Sequence, residues 1–194
     1  VKAYVLKNMN DYRLRAKTLD FIHSWLNLSH IGAITKNEES FPGFSLELVS
    51  DLRDSLDDFV EYTIWSEESD YRQLFQSQTG YTSKLMEQIY GDDWKASSAP
   101  EFDLALTEES ERQYGLLTHP LLMSGLAYRD STSPIHRGVF LIRYLLGRTL
   151  RPPAEAFTPL SPDLHPDLTT RERVELQTSP EGCQTCHSKI NALG

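Results

Sequence analysis

The pentapeptide Cys183-Gln184-Thr185-Cys186-His187 constrains this chain more than any other stretch of its sequence. On a helix, positions three or four apart share a face. Cys183 and Cys186 can therefore both reach one edge of a planar ring, and His187, four residues after Cys183, can turn its imidazole beneath it. Two thiols able to form thioethers with porphyrin vinyl groups, and an imidazole able to bind iron, make this the signature of one covalently attached haem c. The rival readings lack parts. A zinc site needs about four ligands, and the chain has no second cysteine pair. A thioredoxin-like redox pair wants a βαβ setting, and a disulfide scaffold wants more cysteines. Neither is present in the sequence pattern.

The charge balance narrows the partners. With 28 acidic against 19 basic residues, the net charge of −9 excludes the cationic footprint that nucleic acid requires. A basic protein partner remains compatible with it. No apolar run approaches the roughly 18 residues of a membrane helix. Haem c attachment takes place outside the bacterial cytoplasm, so a periplasmic or extracytoplasmic location is expected. The chain opens at Val1, shows no signal peptide and ends just after an apolar Ile190–Gly194 segment, and so reads as a processed protein or a piece of a longer one.

The periodicity is helical and the expected fold class is all-α. Apolar Leu14, Phe21, Ile22, Trp25 and Leu26 recur at helix spacing between Asp11 and Leu28. Ser45 is a candidate N-cap for a second helix, with Val49, Leu52, Leu56, Phe59, Val60 and Ile64 on one side. Asp51, Asp54, Asp57, Asp58 and Glu61 form its other, solvated side. A third helix is predicted from Ser83 to Tyr90, closed by Gly91. Polar, Pro-containing residues 92–104 suggest a boundary, giving a helical domain over 1–100 and a haem-binding domain over 101–194. The stretch from Leu116 to Met123 reads as apolar, turned at Pro120 and then helical. In the second domain Ser133 caps a helix with Pro134 at its first position. Residues 151–168, with five prolines, read as an irregular wrap. Thr169 and Glu172 form a capping-box pattern, and a last helix begins after Ser179-Pro180. No strand pattern stands out.

The motif lies at the C-terminal end, so a second axial ligand within this chain must come from upstream. The available groups are His23, His30, His119, His136, His165, Met9, Met86, Met123 and Tyr128. His119 and Met123 sit among leucines, as a haem-pocket wall would, and are the preferred pair, although core filling is the commoner use of Met. Arg137, Arg143, Arg171 and Arg173 are candidates for pairing with haem propionates, because a guanidinium matches carboxylate geometry. Arg137 is preferred.

Several stretches together resemble the planctomycete-type cytochrome c domain family. They are Leu116–Pro120, Thr132–Gly138, Arg151–Pro153, Thr170–Arg173, Cys183–His187 and Ile190–Gly194. Phe21–Leu26 and Tyr81–Gly91 resemble the helical domain that precedes it in those proteins. One departure is Ala192, where the family commonly has Pro. The resemblance implies a segment of a large, exported, multidomain protein, with neighbouring domains or a redox partner protein exchanging electrons with the haem. It supplies neither a substrate nor a distal ligand. The leading expectation is an electron-transfer cytochrome segment. The alternatives are a peroxidase-like haem enzyme with an open distal site, in which His119 or Arg137 would act on bound peroxide, and an interaction or assembly module with a structural haem.

Overall fold

Side-chain caps start the helices of this chain that begin at Tyr12, Leu46, Lys84, Pro134 and Thr170. In the computed structural model, which describes residues 2–9, 11–31, 34–97, 105–107, 114–150 and 165–194, the all-α class holds. Contacts between residues divide it into two units, Val1–Gly125 and Leu126–Gly194.

In the first unit, helices α1 (Lys2–Asn8) and α2 (Tyr12–Trp25) lead into α3 (Leu46–Trp65), its longest element. Asp11 caps α2 by accepting from the Arg13 N–H, and Ser45 caps α3 by accepting from the Leu48 N–H. Leu48, Val49, Leu52, Leu56, Phe59 and Val60 form the buried face of α3. Each fully buried side chain of this kind stabilises the fold by roughly 1.5–3 kcal/mol. Short helices α4 (Gln73–Gln76), α5 (Lys84–Tyr90) and α6 (Pro120–Gly125) pack around it. Ser83 caps α5, and Gly91, at φ +79°, ends it as expected.

Two features differ from the sequence reading. A two-residue antiparallel ladder joins β1 (Tyr81–Thr82) to β2 (Ala105–Leu106). Segments of two residues are too short to show the alternation by which strands are recognised. The acidic side of α3 is also less free than expected. Asp51 accepts from the Ser83 hydroxyl, Asp57 lies 2.6 Å from His23 Nε2, and Glu61 lies 3.7 Å from Arg15.

The division between units falls at 125/126, later than the 100/101 boundary expected from composition. Residues 114–125 are bound into the first unit. Tyr114 packs edge-on against Trp94 at 5.0 Å, Gly115 lies against the Phe75 backbone, and the Leu116, Leu121 and Leu122 side chains are buried.

The second unit is built on α7 (Pro134–Phe140), α8 (Thr170–Gln177) and α9 (Glu181–Leu193). Ser133 accepts from the His136 N–H, with Pro134 at the first helical position. Beyond Phe140 the helix widens into a π turn over Leu141–Leu145, where the Leu146 N–H reaches back to the Leu141 carbonyl. Gly147, at φ +60°, follows it. Both halves of the Thr169–Glu172 capping box form at the start of α8. Helix α9 crosses α7 closely at Gly138, where a Cβ would overlap the Ile190 carbonyl oxygen. Of the expected Pro-rich wrap, residues 151–164 lie outside the described residues; the remainder enters α8 through a turn at Pro166–Asp167.

Candidate functional site

Helix α9 carries the pentapeptide on its first half and its anchorage on its second. Ile190 is buried, and Arg171 of α8 donates to the Asn191 carbonyl at 2.8 Å and to the Gly194 carbonyl. These bonds satisfy carbonyls that the helix end would otherwise leave without partners. The first half, by contrast, offers its functional groups outward. Cys183 and Cys186 are free thiols, each partly exposed. Gln184, between them, donates from Nε2 to the Thr178 carbonyl at 2.7 Å. This bond ties the pentapeptide to the end of α8.

His187 is partly buried and its ring is held by a short polar chain. Its Nδ1 lies 3.1 Å from Asn191 Oδ1, one helical turn on. Asn191 Nδ2 donates to Thr178 Oγ1 at 2.9 Å, and Thr178 Oγ1 donates to the Val174 carbonyl at 2.7 Å. Among the described residues, none is hydrogen-bonded to His187 Nε2, the nitrogen at the ring's other end.

The donor set fits a haem attached at this helix. The thiols lie on one helical face, and the imidazole is held at one nitrogen with the other directed away from its anchor. A conventional metal site is not formed: among the described residues no three His, Cys, Asp or Glu side chains cluster to hold an ion. A porphyrin needs from the protein only one or two iron ligands, and so is not touched by that absence.

Arg137, on α7, donates to Thr132 Oγ1 and pairs with no carboxylate among the described residues. Burial, and next to it the charge of Arg171, push its pKa below the usual guanidinium value. Two guanidinium groups thus face each other's field within the second unit. Arg173, a further candidate, spends its donors on the His165 and Leu168 carbonyls and on Thr170. Arg143 lies exposed in the π turn.

His119 lies in the first unit and is 2 % exposed. Ser55 Oγ donates to the Tyr81 carbonyl at 2.5 Å, so at 3.2 Å it can only accept from His119 Nε2. His119 Nδ1 in turn accepts the Leu121 N–H at 3.3 Å. Both ring nitrogens are therefore engaged, and no lone pair is left for iron in this conformation. Burial pushes the His119 pKa down to about 3, which keeps the imidazole neutral. Met123, also in the first unit, sits partly exposed on α6, its N–H bonded to the His119 carbonyl.

The remaining upstream candidates have ordinary surroundings. His23 pairs with Asp57, Met86 is fully buried beside α3, and the Met9 carbonyl accepts from Trp65 Nε1. His136 lies 4.8 Å from the Tyr128 ring and 3.2 Å from the Leu126 carbonyl. His165 is partly exposed at the entry to α8, and the His30 side chain lies outside the described residues. Sequence reasoning missed Asn191 and Thr178. Asn191 follows His187 by four positions, a spacing that signals contact on a helix. Nothing in the sequence pairs Thr178 with it, because their contact is made across the α8–α9 corner.

Fold and site together define an all-α protein whose second unit displays a Cys-X-X-Cys-His helix with both thiols free. Residues 1–91 match the family PSD4, described as a protein of unknown function (DUF1592). Residues 113–194 match the family PSCyt3, described as a protein of unknown function (DUF1588). The names suggest planctomycete cytochrome domains. No curated protein and no solved structure matched the chain.

Proposed function

We propose that this chain is a c-type cytochrome segment that carries one covalent haem and transfers electrons within a larger exported protein. The observation that carries the reading is the pairing of two free thiols on one face of α9 with an imidazole fixed at Nδ1 alone. The Sγ of Cys183 and of Cys186 would each bond to a vinyl carbon, the thiol hydrogen passing to the neighbouring carbon. Each addition needs no oxidant. His187 Nε2 would be a ligand to the haem iron. The bound haem supplies one-electron ferric–ferrous chemistry. Arg137, with Arg171 nearby, would neutralise propionate charge, since two mutually repelling guanidinium groups gain from an anion between them. Redox partners are neighbouring domains of the parent chain or a separate protein. The expected compartment is periplasmic or otherwise extracytoplasmic. No helix among the described residues is long and apolar enough to cross a membrane.

The second axial position separates this reading from its rival. Both His119 nitrogens are engaged within the first unit, and Met123 is the other ligand candidate carried over from the sequence. The same engagement favours a second reading, in which the iron keeps an open position and reacts with peroxide. Absorption and magnetic-resonance spectra of the haem-loaded chain decide between them. Low-spin bands with a reversible potential support electron transfer, and their loss in Met123→Ala would identify the ligand. A five-coordinate, high-spin iron that binds cyanide rapidly and turns over peroxide would replace electron transfer with the enzymatic reading.

A further inference from the structure

Asn191 is the residue whose position the proposed haem attachment does not by itself explain. Its amide is wedged between His187 and Thr178, and the hydrogen count around Thr178 dictates which way it faces. Thr178 Oγ1 has one hydrogen and gives it to the Val174 carbonyl at 2.7 Å. Toward Asn191, at 2.9 Å, it can then only accept, so the group facing it is the Asn191 NH2. A flipped amide would set two oxygens against each other with no hydrogen between them. Asn191 Oδ1 must therefore face His187 Nδ1, at 3.1 Å. An amide oxygen only accepts, so Nδ1 carries the hydrogen and Nε2 carries the lone pair.

The helix end is fixed at the same place. Arg171 holds the Asn191 carbonyl at 2.8 Å, and Gln184 ties the pentapeptide to the Thr178 carbonyl at 2.7 Å. Thr178 itself is buried, closing the α8 end of this relay.

Resting on the haem reading above, we propose that Asn191 is the positioning residue for His187. Through Thr178 it selects the Nδ1–H tautomer and presents Nε2 to the iron. The hydrogen bond also sets how much electron density the imidazole gives the metal, as such outer partners do. A stronger acceptor at Nδ1 makes the imidazole a better donor and favours the ferric state.

The test compares Asn191→Leu, Asn191→Asp and Thr178→Val in the haem-loaded chain. Attachment is scored first, by intact mass. Midpoint potential is then measured, together with the nitrogen-15 resonances of His187 in the ferrous state, made low-spin and diamagnetic with carbon monoxide where the iron is five-coordinate. Asn191→Leu should raise the potential and remove the hydrogen-bonded Nδ1–H signal. Asn191→Asp should lower the potential and keep that signal. Thr178→Val should weaken the signal, because it frees the amide to turn. A structural role alone would not move the Leu and Asp variants in opposite directions. Equal or same-direction shifts, or a His187 whose hydrogen lies on Nε2 in the parent chain, overturn the proposal. If the parent chain carries no haem, the haem reading fails by itself. The nitrogen-15 tautomer of His187 in that chain and in Asn191→Leu still decides the role of Asn191.

Discussion

His119 and His187 are the same residue type placed in opposite circumstances, and their surroundings assign them different work. His119 is buried, neutral and bonded at both nitrogens, so it acts as a cross-link between α3, the start of β1 and the start of α6. His187 is bonded at one nitrogen and keeps the other. The pentapeptide marks His187 as an expected iron ligand from local spacing alone. His119 was expected at a haem-pocket wall because leucines surround it, but apolar neighbours do not distinguish a pocket from a core. Only the partners of its two nitrogens do that, and they come from positions 55 and 121. The depressed pKa has a consequence for stability. A folded-state value of about 3 against the ordinary 6.5 means that the unfolded chain binds a proton the folded chain refuses. The associated stability is complete above the unfolded value and is lost as pH falls from about 6.5 toward 3, on the order of a few kcal/mol in all. Thermal unfolding followed across that range should show the loss, and His119→Gln should flatten it. An unchanged slope in the variant would place the acid sensitivity elsewhere. If the chain is loaded with haem as proposed, the same variant should leave its absorption bands intact, whereas their loss would make His119 an iron ligand.

At the scale of elements, the helix starts were the most legible part of this sequence. Ser45, Ser83, Ser133 and Thr169 each cap the helix expected of them, since capping chemistry is carried within four residues. What periodicity could not give was the way helices cross. The α7–α9 contact depends on Gly138, whose missing side chain lets the Ile190 carbonyl approach. Read alone, Gly138 is merely a poor helix former in the middle of a helix. Gly138→Ala should therefore reverse the usual ranking and destabilise the second unit by about 1–3 kcal/mol, as overpacking does. Chemical denaturation of the haem-loaded variant checks this. A gain in stability, which helix propensity alone would give, would show that α7 and α9 do not cross as described. The π turn after Phe140 and the β1–β2 ladder were equally hidden, because neither has a period that so few residues can display.

For the whole molecule, the two units are unequally supplied with core. Of the buried apolar side chains among the described residues, only Pro134, Phe140, Ile142, Val174 and Ile190 belong to the second unit, and the rest lie in the first. A unit this small commonly relies on a covalent or metal-based staple. A haem bonded through Cys183 and Cys186 would serve as one, adding a large apolar surface to the second unit. The proposed electron carrier and a stabilising group would then be one object, held by α9. The decisive measurement is the intact mass of the chain produced alongside haem c attachment machinery, with and without Cys183→Ala and Cys186→Ala. The expected result is the mass of one haem added to the parent chain, surviving denaturation, and absent from the double variant. A parent chain recovered with no added mass, or a haem that washes away on unfolding, would contradict the account.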